Sequence, residues 1–205
     1  MKKSNDNARF PSGKSGILTL QRMNKMHNIG SLWAIEKIKT NNENIKILDV
    51  GCGGGQNLLN FAEKFPNAKL FGIDYSPTSI KFCAKNCKNL IGENRLKLEL
   101  CDIHKTNFKE REFDIVSAFE TLYFWKNLDA CFAEIKRILK LNGLFFTFLE
   151  GTTKETLNEW NKSVELANML TCDELVEILR KNDFKDVEFF TLENSEKSCF
   201  LAYKK

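Results

Sequence analysis

The residues best suited to chemistry in this chain are a cluster of glycines, a series of acids at the ends of apolar runs, and one histidine. Asp49, Gly51, Gly53, Gly54 and Gly55 follow the β-prone run Ile45, Ile47, Leu48 and Val50. That run carries too little polarity to face water, as a strand buried on both faces should. Glycines at such a turn let the backbone take positive φ and let a ligand approach the main chain, and a helix starting near Gln56 presents unpaired N–H groups and a positive dipole end. An anionic group is the natural guest. A second apolar run, from Lys69 to Ile73, ends in Asp74. This acid lies about twenty residues past the glycines, where a doubly wound fold sets a carboxylate against a ribose. A third run, from Leu96, ends at Cys101 and Asp102, and a fourth, Phe113–Phe119, opens onto Glu120. His27, in Met23-Asn-Lys-Met-His27-Asn28, is a side chain able to take a proton near neutral pH.

Two nucleotide-binding patterns compete for the glycine cluster. The dinucleotide fingerprint needs glycine at its first, third and sixth positions, which here fall on Gly51, Gly53 and Gln56, so the third glycine is missing. The pattern that remains, Asp49-x-Gly51-x-Gly53-x-Gly55, resembles the first motif of the class I S-adenosylmethionine-dependent methyltransferases. The acids at the next two strand ends, and the stretch from Ala133 to Gly143, continue that resemblance from about Ile45 onward, and its small-molecule (type 11-like) group is the nearest in kind. The resemblance implies S-adenosyl-L-methionine as cofactor and S-adenosyl-L-homocysteine as product. It implies cofactor contacts from Asp49, Gly51, Cys52, Gly53, Gly55, Asn57, Asp74, Tyr75, Ser79, Asp102, Ile103 and Phe119. Asp74 would accept from the ribose hydroxyls and have no other evident partner, while Asp102 would accept from the adenine amine. His104 would sit near the adenine edge.

The acceptor side is expected at Phe119-Glu120-Thr121-Leu122-Tyr123-Phe124-Trp125. Families that methylate nucleobase or glutamine amino groups carry an Asn or Asp before Pro-Pro-Tyr at this place, and no proline follows Pro77 in this chain. Rings beside a carboxylate suit an aromatic or cationic small molecule. His27, Glu120 and Tyr123 are therefore the candidate catalytic groups, with Phe124, Trp125, Glu150 and Trp160 as candidate substrate contacts. The insert from Glu150 to Leu170, which holds Trp160, is the expected second wall. Direct in-line transfer needs alignment, exclusion of water and removal of a proton, with no metal. Two alternatives stay open: a non-catalytic scaffold that binds the cofactor, and a protein or RNA methyltransferase.

The elements needed to position these groups follow from periodicity. Apolar residues at helical spacing from Ile17 to Met26 and from Leu32 to Ile38 predict cap helices before the first strand. Helices are expected over Leu58–Phe65, Pro77–Asn89, Leu128–Leu141 and Cys172–Asn182, the last opened by Thr171 and Glu174 in a capping-box pattern. A fifth strand, Leu144–Leu149, follows a turn at Lys140–Gly143. The tail from Val187 to Tyr203 reads as a hairpin, making the last strand antiparallel. The expected fold is thus α/β: a doubly wound, Rossmann-like, seven-stranded and mostly parallel sheet with helices on both faces. Residues 1–44 would form an arm and cap helices, and residues 45–205 the catalytic domain, all in one compact unit.

Composition narrows the partners. A chain of 205 residues buries about 70% of its unfolded surface on folding. Its net charge of +4 comes from lysines spread along the chain, so no basic stripe marks a nucleic-acid partner. No run of about 18 apolar residues suits a bilayer, and the first residues carry charge without an apolar core, so a cytoplasmic monomer or homodimer is expected. Seven cysteines, an odd number, read as thiols. Cys83, Cys87, Cys101 and His104 have loose zinc-like spacing, but the bland reading is two small side chains on a buried helix face. Ala8–Ser15 mimics a phosphate loop without the buried strand that should precede it, and reads better as an arm leading into a helix near Ile17.

Overall fold

The computed structural model describes residues 6–40 and 42–205; the first five residues of the expected arm, including most of the stretch used to argue against a leader, lie outside the described residues. A short helix α1 (Asp6–Arg9) precedes the cap helices α2 (Gly13–Met26) and α3 (Asn28–Ile35). Strand β1 (Lys46–Val50) leads through the glycine turn into α4 (Gln56–Lys64), followed by β2 (Lys69–Asp74), α5 (Pro77–Asn86), α6 (Lys88–Gly92) and β3 (Leu96–Leu100). The second half runs β4 (Phe113–Phe119), α7 (Leu128–Ile138), β5 (Leu139–Leu149), α8 (Lys154–Ser163), α9 (Cys172–Lys181), β6 (Lys185–Thr191) and β7 (Ser198–Tyr203), with a 3₁₀ turn at Leu122–Phe124.

The sheet order is β3-β2-β1-β4-β5-β7-β6. Pairings among the first five strands are parallel, and β7 runs antiparallel to both β5 and β6, as the tail hairpin predicts. Side chains alternate between two cores. Leu48, Val50, Val116, Ala118 and Phe145 meet α7 and α9 on one face, and Ile47, Leu70, Ile115, Phe146 and Phe148 meet α3, α4 and α5 on the other. Burial on both faces is why these strands read as continuous apolar runs. The order reverses between β1 and β4, and a doubly wound sheet opens its ligand crevice at such a point, beyond the carboxyl ends of the strands.

Helix boundaries depart from expectation where tertiary contacts override periodicity. The helix expected over Pro77–Asn89 breaks at Cys87, and the helix after Leu128 stops at Ile138. Lys140–Gly143, expected as a turn, instead lies within β5: the pairing jumps from Phe113↔Leu139 to Ile115↔Leu144, so the extra residues bulge out, with Asn142 at φ +60°. Asn142 N–H and Gly143 C=O are tied to Lys204, which keeps this bulge in the ladder. The capping box at Thr171 and Glu174 forms as its spacing suggests. The arm continues into α2 at Gly13 rather than near Ile17. Helix α2 packs on α5 and α3 on α4, which sets the cap beside the carboxyl edge of the sheet.

Candidate active site

The glycine turn is shaped by its neighbours. Gly51 has φ +70°, and a Cβ there would stand 2.4 Å from Thr121 Cγ2. Gly55, at φ +81°, is backed by Cys83 and Cys87, whose sulfurs would lie 2.6 and 2.8 Å from an added Cβ. Both positions therefore require glycine on conformation and on space. The two thiols fill the gap behind the turn, consistent with small apolar residues, whereas Cys101 and His104 lie at the end of β3 beside the cavity.

Asp74 ties the turn down. Its Oδ2 accepts from Gly53 N–H at 3.0 Å and its Oδ1 from Ser76 N–H at 2.8 Å. The expectation that a ribose would be its sole partner is thus corrected: the carboxylate is buried and already carries two backbone donors. Burial pushes its pKa up, and the two N–H groups, with the Ser79 hydroxyl beside them, draw it back. Ser79 Oγ, buried nearby, has no aligned hydrogen-bond partner and lines the same cavity, leaving a hydroxyl for a ligand.

The cavity measures about 450 Å³. It brings together Gly51, Gly53, Asp74, Tyr75, Ser79, Asp102, Ile103, Phe119, Glu120, Phe124 and Trp125 from the expected set. Asp102 is engaged by His104, whose backbone N–H and ring Nδ1 both contact Oδ1. Partial burial raises the Asp102 pKa, but those contacts outweigh it and hold the carboxyl below its usual range. Sequence reasoning missed the arm as a wall: Arg9, Phe10 and Pro11 line the cavity. Tyr75 OH donates to Arg9 C=O, Ser76 Oγ to Pro11 C=O, and the Phe10 and Tyr75 rings stand 5.1 Å apart. Nothing local in Ala8–Ser15 signals this; only the fold brings the arm to the end of β2.

Other expected contacts lie elsewhere. Cys52, Asn57 and His27 line an adjoining crevice of about 60 Å³ that shares Gly51, Gly53, Phe119 and Glu120 with the main cavity. Gly55 acts from behind the turn. Asp49 is buried within β1, where its Oδ1 accepts from Ser117 Oγ at 2.8 Å, and burial pushes its pKa up to about 7. Tyr123 is not on the cavity wall: its buried hydroxyl donates to Gly151 C=O at 3.0 Å and accepts from Gly151 N–H at 3.1 Å. Trp160 meets the Tyr123 ring at 5.7 Å and presses on Gly151, so the expected second wall acts as packing behind the loop that follows β5.

Glu120, Glu150 and His27 converge at the carboxyl ends of β4 and β5. Glu120 sits at φ +59°, a strained conformation for a residue with a side chain. Its Oε1 accepts from Glu150 N–H at 2.6 Å, and its remaining exposure lies toward the cavity it lines. Burial pushes Glu120 up to about 7; nearby His27 opposes the rise and Glu150 adds to it. Glu150 reaches His27 Nδ1 with Oε2 at 3.0 Å and Lys197 Nζ with Oε1 at 2.8 Å. The His27 contact is an ion pair whose carboxylate lies off the ring N–H axis, not an aligned hydrogen bond. The three residues' donor atoms lie within 4.8 Å of one another, a spacing open to a metal ion, and Lys197 already brings a positive charge to Glu150. Lys197 carried no signal in the sequence, because only the β6–β7 pairing brings it here.

A family model described as a methyltransferase domain matches residues 41–188, and this chain belongs to that family, the class I S-adenosylmethionine-dependent methyltransferases. Among curated relatives, a sterol 4-C-methyltransferase of Caenorhabditis elegans is 33% identical over 106 residues, 52% of this chain and 31% of the relative. A malonyl-[acyl-carrier protein] O-methyltransferase of Priestia megaterium is 27% identical over 172 residues, 82% of this chain and 57% of the relative. The chain thus spans less than two thirds of these relatives' lengths. Phosphoethanolamine N-methyltransferase 2 of Haemonchus contortus, solved with S-adenosyl-L-methionine, superposes with a TM-score of 0.79 at 16% identity, over 100% of this chain and 60% of the other. A methyltransferase of Haloferax volcanii, solved in complex with the Trm112 activator, gives 0.80 at 16% identity, over 92% and 94%. Among the described residues no helix is long and apolar enough to cross a membrane.

Two outcomes follow from this geometry. Asp74→Ala strands the Gly53 and Ser76 N–H groups, so it is expected to cost about 1–3 kcal/mol of stability in urea unfolding as well as cofactor affinity. Glu120, with a folded pKa of about 7 against an ordinary value of 4.5, favours the folded state fully at low pH, and that contribution fades as pH rises through 7. Glu120→Gln should therefore lose less thermal stability than the parent between pH 5 and pH 8 in a melting series; equal losses would refute the burial argument.

Proposed function

We propose that this protein transfers a methyl group from S-adenosyl-L-methionine to a small molecule by direct in-line displacement. The observation that carries the reading is one continuous cavity with the glycine turn, Asp74 and Asp102 along one side and Glu120, Phe124 and Trp125 along the other. The residues fit the cofactor. The turn offers backbone without Cβ atoms, Asp74 and the Ser79 hydroxyl beside it suit a ribose, and Asp102 with Ile103 suits an adenine edge. When bound, the cofactor supplies a methyl group already activated on sulfur.

The chain's own task is alignment and proton removal. Phe124 and Trp125 provide apolar and π surface for an acceptor, and the arm at Arg9–Pro11 shields the cavity from water. His27 and Glu120 are the groups placed to take a proton. Tyr123 and Trp160 serve by holding the backbone after β5, as their burial against Gly151 supports. The named relatives are a sterol 4-C-methyltransferase and a malonyl-[acyl-carrier protein] O-methyltransferase, and the Haemonchus neighbour a phosphoethanolamine N-methyltransferase. The acceptors in those names are chemically varied, and lysines spread along the chain rather than gathered in one stripe favour a small molecule over nucleic acid.

The test is to incubate the protein with methyl-labelled S-adenosyl-L-methionine and a panel of amines, phenols, thiols and carboxylates, reading S-adenosyl-L-homocysteine formation. Acceptor-dependent product supports the reading, while tight cofactor binding with no transfer to any class favours a scaffold. With an active acceptor in hand, His27→Ala is expected to lower turnover by about 10²–10⁴-fold with cofactor affinity kept. Equal loss of both would make His27 a structural part of the cap.

A further inference from the structure

Glu150 and Lys197 come from different parts of the chain and meet at one histidine. Glu150 follows the last residue of β5, and Lys197 closes the turn between β6 and β7, where its N–H donates to Ser195 Oγ and its C=O accepts from Leu192 N–H. The same turn is fastened to the loop after β5 by Thr152 and to the first turn of α8 by Thr156, which donate to Glu196 at 2.7 and 2.9 Å. The Lys197 backbone is therefore fixed, and its side chain extends from that fixed point to Glu150.

The Glu150 oxygens are divided between the two partners, Oε1 to Lys197 Nζ at 2.8 Å and Oε2 to His27 Nδ1 at 3.0 Å. A ring nitrogen bearing a lone pair would set its electron density against the carboxylate at that distance. The negative charge beside Nδ1 favours the proton there even with the oxygen off the N–H axis, and in the neutral ring the lone pair is then left on Nε2. The oxygen's position off the N–H axis leaves room for the contact to tighten as the ring gains charge, as catalytic hydrogen bonds often do on going from the free to the loaded state.

We propose that Glu150, fixed by Lys197, is a positioning residue that holds His27 as the Nδ1–H tautomer, so that Nε2 serves as base for an acceptor that brings a proton, a hydroxyl or an ammonium group, rather than for a carboxylate. This rests on the methyl-transfer reading above. In the step, a hydroxyl oxygen, or a nitrogen that has first given its ammonium proton to His27, uses its lone pair to form the bond to the methyl carbon, and the carbon–sulfur pair departs with sulfur as the sulfonium becomes a thioether. The acceptor's proton passes to His27 Nε2, and Glu150 then faces the imidazolium as its counter-charge. A carboxylate acceptor has no proton to give up at neutral pH. It would also enter a crevice lined by Glu120 and by His27, whose partner is Glu150, with the Lys197 ammonium committed.

The charged groups around the ring act in opposite senses. Burial lowers the His27 pKa, the contact with Glu150 and the charge of Glu120 raise it, Lys197 lowers it, and the balance lies above the ordinary histidine value. Each removal therefore carries its own sign.

The chain has two histidines, His27 and His104, so ring-¹⁵N-labelled protein gives two imidazole spin systems, and His27→Gln identifies which is which. The expected result is His27 in the Nδ1–H form above its pKa in the parent protein. Glu150→Gln should move that titration to lower pH and mix the tautomers, while Lys197→Met should move it to higher pH and leave Nδ1–H in place. The opposed shifts follow from charge alone, so the tautomer is the readout that decides: a contact without a positioning role leaves it unmoved by Glu150→Gln, which is close to isosteric, and the readout survives if Lys197→Met folds poorly. An Nε2–H ring in the parent, or a tautomer unmoved by Glu150→Gln, overturns the proposal. S-adenosyl-L-methionine titrated into the same parent sample separates the two claims. A protein that shows the Nδ1–H ring but does not bind the cofactor overturns the methyl-transfer reading and the acceptor assignment with it, whereas cofactor binding with the wrong tautomer overturns only the positioning of His27.

Discussion

One carboxylate holds the site together. Asp74 ends β2 and accepts from the Gly53 and Ser76 N–H groups, so the same side chain fixes the glycine turn after β1 and the start of α5. Ser76 in turn caps α5 through Ser79 N–H and grips the arm through Pro11 C=O. Three segments far apart in the chain are thereby registered to the carboxyl edge of the sheet. Two backbone donors on this buried acid also offset part of the desolvation that pushes its pKa up.

The other end of the cavity is built on a different principle. Glu120 takes a left-handed backbone conformation immediately after a buried strand, and Glu150 N–H pins its side chain. Strain of this kind, of order 1–3 kcal/mol, persists only where the surroundings over-determine it. Here the pairing of β4 with β5, the Tyr123–Gly151 hydrogen bonds and the Trp160 packing do so. The chain thus accepts two acids, Asp49 and Glu120, whose burial raises them to about 7, one as a member of the sheet and the other on the cavity wall.

Much of this was legible in the sequence, and the exceptions have physical causes. The doubly wound architecture, the antiparallel last strand and the capping box at Thr171 follow from local patterns: apolar runs, alternation of strand and helix, and one i, i+3 pair. Gly51, Asp74, Asp102 and Glu120 meet at one cavity because each ends a strand, and strand ends can be read from sequence. Side-chain direction cannot. Tyr123 and Trp160 have the composition of substrate contacts, but tertiary packing turns them toward Gly151. The arm and Lys197 escaped notice because their places depend on which segments lie side by side, and no local spacing encodes that. The bulge at Lys140–Gly143 has turn composition, yet its ties to Lys204 keep it in the sheet.

The central claim is that the glycine turn and its acids form a site for a sulfonium cofactor and not for a dinucleotide. The most direct measurement is a calorimetric titration of the purified protein with S-adenosyl-L-methionine, run beside an identical titration with NADH. Saturable one-to-one binding of the sulfonium in the micromolar range, with no heat from NADH, is the predicted result; binding of NADH alone, or of neither, would contradict it.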